Sequence, residues 1–336
     1  MDSREAKKSD YIDGEFIADL EKAYRKRKLV FFIGAGISMS QGYSSWSKYV
    51  DDLIDYWKFG LGRIGNQEID FKVVRQLDWL KNNSEISLMR KIDIVQMMIE
   101  NVCQQFQKDV KEHLLEFEKH WFIEGKPTSL QNEILDKLMD LSPTFLTTNY
   151  DEEIERSWDR SLLKIGLGTR EENKAIAKTS FNYETVTSLE KFEMSNGNLE
   201  QKYILHVHGT PSTEFEIVNS SESYGNLYYI DNHATFTRLN NFLNDKVLVF
   251  LGSSLQEDEL LQNLHPRKAY ALMKADSNQI GNELLGEYYG RKKDIKIIWY
   301  GQQFNELSPF VAKMVSKITN YHPRNLEREK AIVPWS

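Results

Sequence analysis

One cysteine, Cys103, stands in 336 residues. A lone thiol excludes an intrachain disulfide and a zinc module built from cysteines. Long apolar runs are missing too: none approaches the roughly 18 residues that suggest a membrane span. The opening residues, Met-Asp-Ser-Arg-Glu-Ala-Lys-Lys-Ser-Asp, lack the apolar centre of a signal peptide. A soluble cytoplasmic protein is the expectation, with no membrane partner. There is no proline-rich linker, low-complexity tract or internal repeat. Positive charge is in deficit, with a net charge of −7, so no overall field draws in nucleic acid and direct nucleic-acid binding is not expected. The dense basic runs Arg25-Lys26-Arg27-Lys28 and Arg291-Lys292-Lys293 read as solvated ends of elements. What is present is apolar substance: 40% hydrophobic and 12% aromatic residues can fill a sizeable core in one large domain or two ordinary ones.

The chain is organised around Leu29-Val-Phe-Phe-Ile-Gly-Ala-Gly-Ile-Ser38. Its apolar run is long enough for a strand buried on both faces, and Gly34 ends it with the residue that best permits an unusual turn. Trp46, Tyr49, Val50, Leu53, Ile54 and Trp57 then recur at the spacing of a helix face. Strand, glycine turn and helix make a place where backbone N–H groups meet a pyrophosphate. The loop is not an ordinary nucleotide fingerprint, because Met39 stands where G-x-G-x-x-G needs glycine and the P-loop Lys-Ser/Thr pair is absent.

Residues 15–28 predict a helix with Phe16, Ile17, Leu20 and Tyr24 on one side. From about 60 to 141 the pattern is helical and reads as an insertion or cap between two strands, with Met97, Met98 and Cys103 as core residues. Further strands are expected at Pro143-Thr-Phe-Leu-Thr-Thr-Asn-Tyr-Asp151, Tyr203-Ile-Leu-His-Val-His-Gly-Thr210, Val247–Leu251, Tyr270–Met273 and Ile295–Tyr300. Helices are expected around Ile280, Leu284, Leu285 and Tyr288 and over 307–318. Residues 161–200 read as loops or a weak hairpin. Strands alternating with helices predict an α/β, Rossmann-like, mostly parallel sheet with helices on both faces and an inserted helical subdomain.

Four strands end in small or polar residues: GAGIS at 34–38, TTNYD at 147–151, HG at 208–209 and GSS at 252–254. In an open parallel sheet such ends share one edge, where ligands sit. In this order, with an acid after GSS, the motifs resemble the SIR2-like (sirtuin-related) NAD-binding domains, in particular those of bacterial antiphage-defence systems. The resemblance divides the chain into an N-terminal helix at 1–28, a SIR2-like domain at 29–320 and a C-terminal tail at 321–336. It implies that Gly34, Ala35, Gly36 and Ser38 approach the pyrophosphate, with Gly252, Ser253 and Ser254 on the adenosine side and Thr148 also at the cofactor. It further implies that Asn149 holds the nicotinamide ribose or the attacking water, Asp151 the nicotinamide carboxamide, and His208 the role of catalytic base. An ordinary histidine pKa near 6.5 suits that role. His208 is favoured over His206, its neighbour on the same strand face, because it directly precedes the glycine. Asp258 either binds a ribose hydroxyl or caps a helix. His233 reads as a helix-start residue, and Trp46 either lines the cofactor mouth or packs.

Sirtuin deacylases carry a four-cysteine zinc module, and a single cysteine disfavours that chemistry. The resemblance then implies hydrolysis of NAD, as substrate and without zinc, to nicotinamide and ADP-ribose, in abortive antiphage defence. A freely active NAD hydrolase would poison its cell, so activation is expected to need a homo-oligomer or a separately encoded partner such as an ATPase or a nucleic-acid sensor. A non-catalytic NAD or ADP-ribose binding module, or ADP-ribosyl transfer, are the alternatives.

Overall fold

The computed structural model describes residues 12–60, 71–106, 110–124, 131–141, 143–164, 183–194, 202–211, 217–230 and 236–319. The expected tail at 321–336, most of 161–200 and His233 lie outside the described residues.

Seven parallel strands form one sheet: β1 (Leu29–Ile33), β2 (Thr144–Thr147), β3 (Tyr183–Val186), β4 (Lys202–His206), β5 (Val247–Leu251), β6 (Lys268–Lys274) and β7 (Ile295–Gly301). Their order is β3-β4-β2-β1-β5-β6-β7. The four motif-bearing strands are therefore the contiguous centre, β4-β2-β1-β5. From β1 the chain builds outward through β2 and, after β5, outward the other way. The reversal falls between β1 and β5, whose residues pair from Leu29–Val247 to Ile33–Leu251. In an open α/β sheet a ligand crevice lies at such a switch point, beyond the carboxyl ends of the strands.

Both sheet faces are covered, which is why β1 and β5 are unbroken apolar runs. Phe31, Ile33, Phe145, Ile204, Val249 and Leu251 pack beneath the helices Gly14–Arg25, Glu133–Met139, Glu153–Lys164 and Leu307–Thr319. Val30, Phe32, Leu146, Leu205, Leu248 and Phe250 face Phe192, Leu239, Phe242, Leu260 and Tyr289 on the other side. Asp13 caps the first helix, its carboxylate accepting from the N–H groups of Glu15 and Phe16. Phe16 and Leu20 of that helix are fully buried, each worth about 1.5–3 kcal/mol against exposure.

The helices Trp46–Gly60, Phe71–Asn82, Leu88–Phe106 and Val110–Lys119 build a separate small core around Tyr49, Leu53, Trp57, Leu77, Ile92, Val95 and Ile99. This is the inserted subdomain. Two expectations change here. The helix that directly follows the glycine turn is the five-residue Ala35–Met39, while Trp46–Gly60 turns its apolar face into the cap and not onto the sheet. Ile134, Leu138 and Leu141, read with the cap, pack under the sheet.

Met97 is exposed, because Ile92, Val95 and Ile99 mark the inward face of its helix. The side chain of Cys103 lies outside the described residues. The segment 183–194 is no hairpin: β3 is a parallel edge strand on β4, followed by the helix Leu189–Met194. Only Tyr183 and Val186 of β3 are buried, so four residues carry too little pattern to be recognised. The helix Gln279–Lys292 exists where expected but carries Ile280, Leu284, Leu285 and Tyr288 outward. Among the described residues no helix is long and apolar enough to cross a membrane.

Candidate functional site

The loops after β1 and β5 are clamped together by glycine. Gly34 N–H donates to Leu251 O and Gly36 N–H to Gly252 O, each at 2.8 Å. A Cβ on Gly34 would lie 2.6 Å from Gly252 O and 2.7 Å from Ser253 Cα, and one on Gly36 2.8 Å from Gly252 O. Gly252 has φ +66°, and a Cβ there would lie 2.7 Å from Ile37 Cγ1. These residues are glycine because two backbones touch and, at Gly252, because the conformation is left-handed. The contact presents Ala35, Ser38 and Ser254 to a cavity of about 420 Å³ at the carboxyl edge of the central strands.

The loop after β2 is tied down from beneath. Thr147 Oγ1 donates to Ile33 O at 2.7 Å and accepts from Asn149 N–H at 3.0 Å. Asn149 is thereby aimed across the switch point, where Nδ2 donates to Ser38 Oγ at 2.9 Å. The Ser38 hydroxyl in turn donates to the Asp151 carboxylate. Asp151 also accepts from Glu153 N–H at 3.1 Å, at the start of the helix Glu153–Lys164. Burial pushes the Asp151 carboxyl up to about 6, against the pull of its two donors. Behind it Glu153 accepts from Tyr43 Oη at 2.9 Å and from Arg156 at 3.1 Å.

The two histidines part company because β4 ends at His206. The alternation that would align their side chains stops there, and Gly209, with φ +83°, turns the chain. His206 is fully buried between the Asn149 carbonyl, 3.0 Å from Nδ1, and Glu155, 2.9 Å from Nε2. Two acceptors require two N–H donors, which is the protonated ring. Burial opposes that charge, but the Glu155 carboxylate and the bonded carbonyl outweigh it and hold the pKa above the ordinary value. His206 is a positioning residue for the Asn149 loop.

His208 lines the cavity instead, with Nε2 2.7 Å from the Tyr228 hydroxyl and the Tyr224 ring edge-on at 5.9 Å. Burial without a carboxylate partner pushes its pKa down to about 3. The expected value near 6.5 is thereby corrected: His208 is neutral across the physiological range and only weakly basic.

The cap supplies the opposite wall. Trp46 stacks on Tyr49 at 4.8 Å and meets Tyr150 at 5.8 Å, and Phe122 meets Tyr150 at 4.9 Å. A buried polar knot fixes cap to sheet domain, with Asn219 Nδ2 donating to Glu118 at 2.8 Å and to Tyr49 Oη at 3.2 Å. Trp46 therefore does both things considered for it, lining the cavity while packing.

Of the residues named from sequence, Ala35, Ser38, Thr148, Asn149, Asp151, His208 and Ser254 line this one cavity. Gly34, Gly36, Gly252 and Ser253 lie in the loop clamp beside it. Asp258 neither caps the helix nor faces the cavity. Glu257 occupies the cap position, and the Asp258 carboxylate pairs with Lys293 Nζ at 2.6 Å. Tyr43, Asn219, Tyr224 and Glu257 also line the cavity and were missed. Only Glu257 had a signal, as the residue after Ser253-Ser254-Leu255-Gln256 at the acidic helix start.

An all-parallel sheet with its polar strand ends gathered at the switch point defines a Rossmann-like α/β domain with a ligand cavity. Comparison with known proteins names the class further. Residues 143–290 match the family model described as SIR2-like domain, a span that includes three of the four motifs and not the glycine loop. Over 299 residues, 84% of this chain, the sequence is 25% identical to "Defense-associated sirtuin 2" of Bacillus subtilis. Residues 143–290 are thus similar to SIR2-like domains. The matched region is 24% of that relative's length, so the chain spans about a quarter of it.

Proposed function

We propose that this chain is an NAD⁺ glycohydrolase that cuts NAD⁺ to nicotinamide and ADP-ribose in bacterial antiphage defence. The observation that carries the reading is the relay Asn149–Ser38–Asp151, which faces a neutral His208 within one cavity at the sheet's carboxyl edge. Cleaving the bond between ribose C1′ and the nicotinamide nitrogen passes through an oxocarbenium-like cation and releases a neutral leaving group. The reaction needs orientation and a proton acceptor for water more than it needs an acid. Asn149 would hold the ribose or the water. His208, left unprotonated by its low basicity, would accept a hydrogen bond from the water and pass the proton on to solvent as the bond to ribose C1′ forms. Asp151 would take the carboxamide N–H₂. The defence role is supported by the likeness to a relative named for defence.

Because unrestrained turnover would drain the cell of NAD, the proposal includes activation by self-assembly or by a separately encoded partner. Nicotinamide release by the purified chain over a wide concentration range tests both parts. Asn149→Ala and His208→Ala are each expected to lower release by about 10²-fold or more with the fold intact. Unchanged release in both would refute the mechanism, and a full rate as a monomer would refute the activation requirement.

A further inference from the structure

We propose that Glu257 recognises the positive charge of the pyridinium end of the ligand and makes this cavity selective for a cationic nicotinamide. The inference rests on the NAD reading above and deepens it. The carboxylate lines the cavity, and its Oε2 is buried without a hydrogen-bond partner among the described residues. An orphaned carboxylate oxygen is costly to keep, and it is resolved by a donor or a cation brought in by a ligand. The rest of the lining has the same preference. Among the described residues it contains a second carboxylate, Asp151, and the aromatic rings of Trp46, Tyr150 and Tyr224, but neither lysine nor arginine. Anionic and aromatic walls without a basic side chain suit a flat cation and not a second anion.

The groups around Glu257 leave its charge uncompensated. Burial and then the neighbouring Glu259 push its carboxyl up to about 7. On the other sides it faces Tyr150, Tyr224 and Tyr228, phenols that burial holds protonated. Glu259 is itself engaged by the Tyr229 hydroxyl at 2.8 Å. Asp258, the adjacent acid, is turned away onto Lys293. An opposite charge within about 4–6 Å of a carboxylate lowers its pKa by roughly 1–3 units. A cationic ligand therefore displaces the proton that Glu257 holds near neutrality, whereas a neutral analogue of the same shape does not. The reduced dinucleotide, whose dihydronicotinamide is uncharged, is such an analogue. The same charge would meet the ribosyl cation as the glycosidic bond opens.

The test is calorimetric titration of the full chain with 1-methylnicotinamide, a cation that has no ribose to lose, beside neutral nicotinamide, and with NAD⁺ beside NADH. Wild type and Glu257→Gln are compared at pH 7.5 in two buffers of different ionisation enthalpy. Wild type is expected to prefer each cationic member by about tenfold or more and to release protons on binding 1-methylnicotinamide, which cannot be hydrolysed. Glu257→Gln, isosteric and neutral, is expected to bring each preference within about threefold and to abolish proton release. Dinucleotides that bind with no preference for the cationic form, or a preference that survives Glu257→Gln, overturn the proposal and leave the NAD reading standing. Selective, Glu257-dependent binding of 1-methylnicotinamide with no dinucleotide binding would uphold the charge recognition and overturn the NAD reading.

Discussion

Replacing Asp151 with Asn should change the pH dependence of stability in a direction that a structural salt bridge would not. The carboxyl is buried and its pKa is raised from 3.8 to about 6. An acid whose native pKa lies above its unfolded one binds more protons in the native state across that window. Stability therefore falls as pH rises from about 4 to 6, and the penalty is complete above it. A shift of this size corresponds to about 3 kcal/mol. Asparagine is nearly isosteric, accepts the Glu153 N–H in the same way and does not titrate. Its amide would share Ser38 Oγ with Asn149 and leave the Ser38 proton without an acceptor, a cost of about 1 kcal/mol at every pH. Asp151→Asn should then be about 0.5 kcal/mol less stable than wild type at pH 4 and about 2 kcal/mol more stable at pH 7.5. Guanidinium unfolding of both proteins at the two pH values measures the difference, in which the titration of every other group cancels. Parallel pH profiles would refute the claim that Asp151 is held at the site against its own stability.

Gly34→Ala would drive a Cβ into the Gly252–Ser253 backbone, which cannot rotate aside, so a loss of about 1–3 kcal/mol is expected as a lower denaturant midpoint at unchanged slope. A loss under about 0.5 kcal/mol would show that the two loops separate easily. Asp258→Ala breaks only a pair with Lys293 at the surface. It should change dinucleotide affinity less than about twofold and stability by less than about 1 kcal/mol, and a large loss of affinity would restore the ribose role first considered for it.

The central sheet was legible because strands buried on both faces are strongly apolar: β1 and β5 are so throughout, and β2 and β4 at their centres. Their shared edge followed from parallel topology alone. β3 was not legible, since an edge strand with two buried residues has no pattern to detect. Periodicity also found the helix Trp46–Gly60 without revealing what it packs on, for a helix face looks the same whether it meets a sheet or other helices. At the site, the strand ends placed Asn149, Asp151 and His208 on the shared edge, while their roles came from the resemblance to SIR2-like domains. The split between His206 and His208 could not, because it depends on where β4 stops. Glu257 and Asp258 are neighbours of like charge, and nothing in their order distinguishes the one that lines the cavity, just past a turn with Leu255 at φ +56°, from the one that pairs with Lys293.

The glycines of the first loop were read as making room for a phosphate, and the structure supplies a different sufficient cause. Gly34 and Gly36 direct their N–H groups to the carbonyls of Leu251 and Gly252, so these two donors are occupied before any ligand arrives. Their effect on a ligand is indirect: by bringing the β1 and β5 loops into contact they set Ser38 within reach of Asn149 and place Ser254 on the same wall. Close packing therefore fixes the glycines, and through them the relay. Binding at this site should accordingly be more sensitive to substitutions that separate the two loops than to the loss of any single amide donor from the glycine turn.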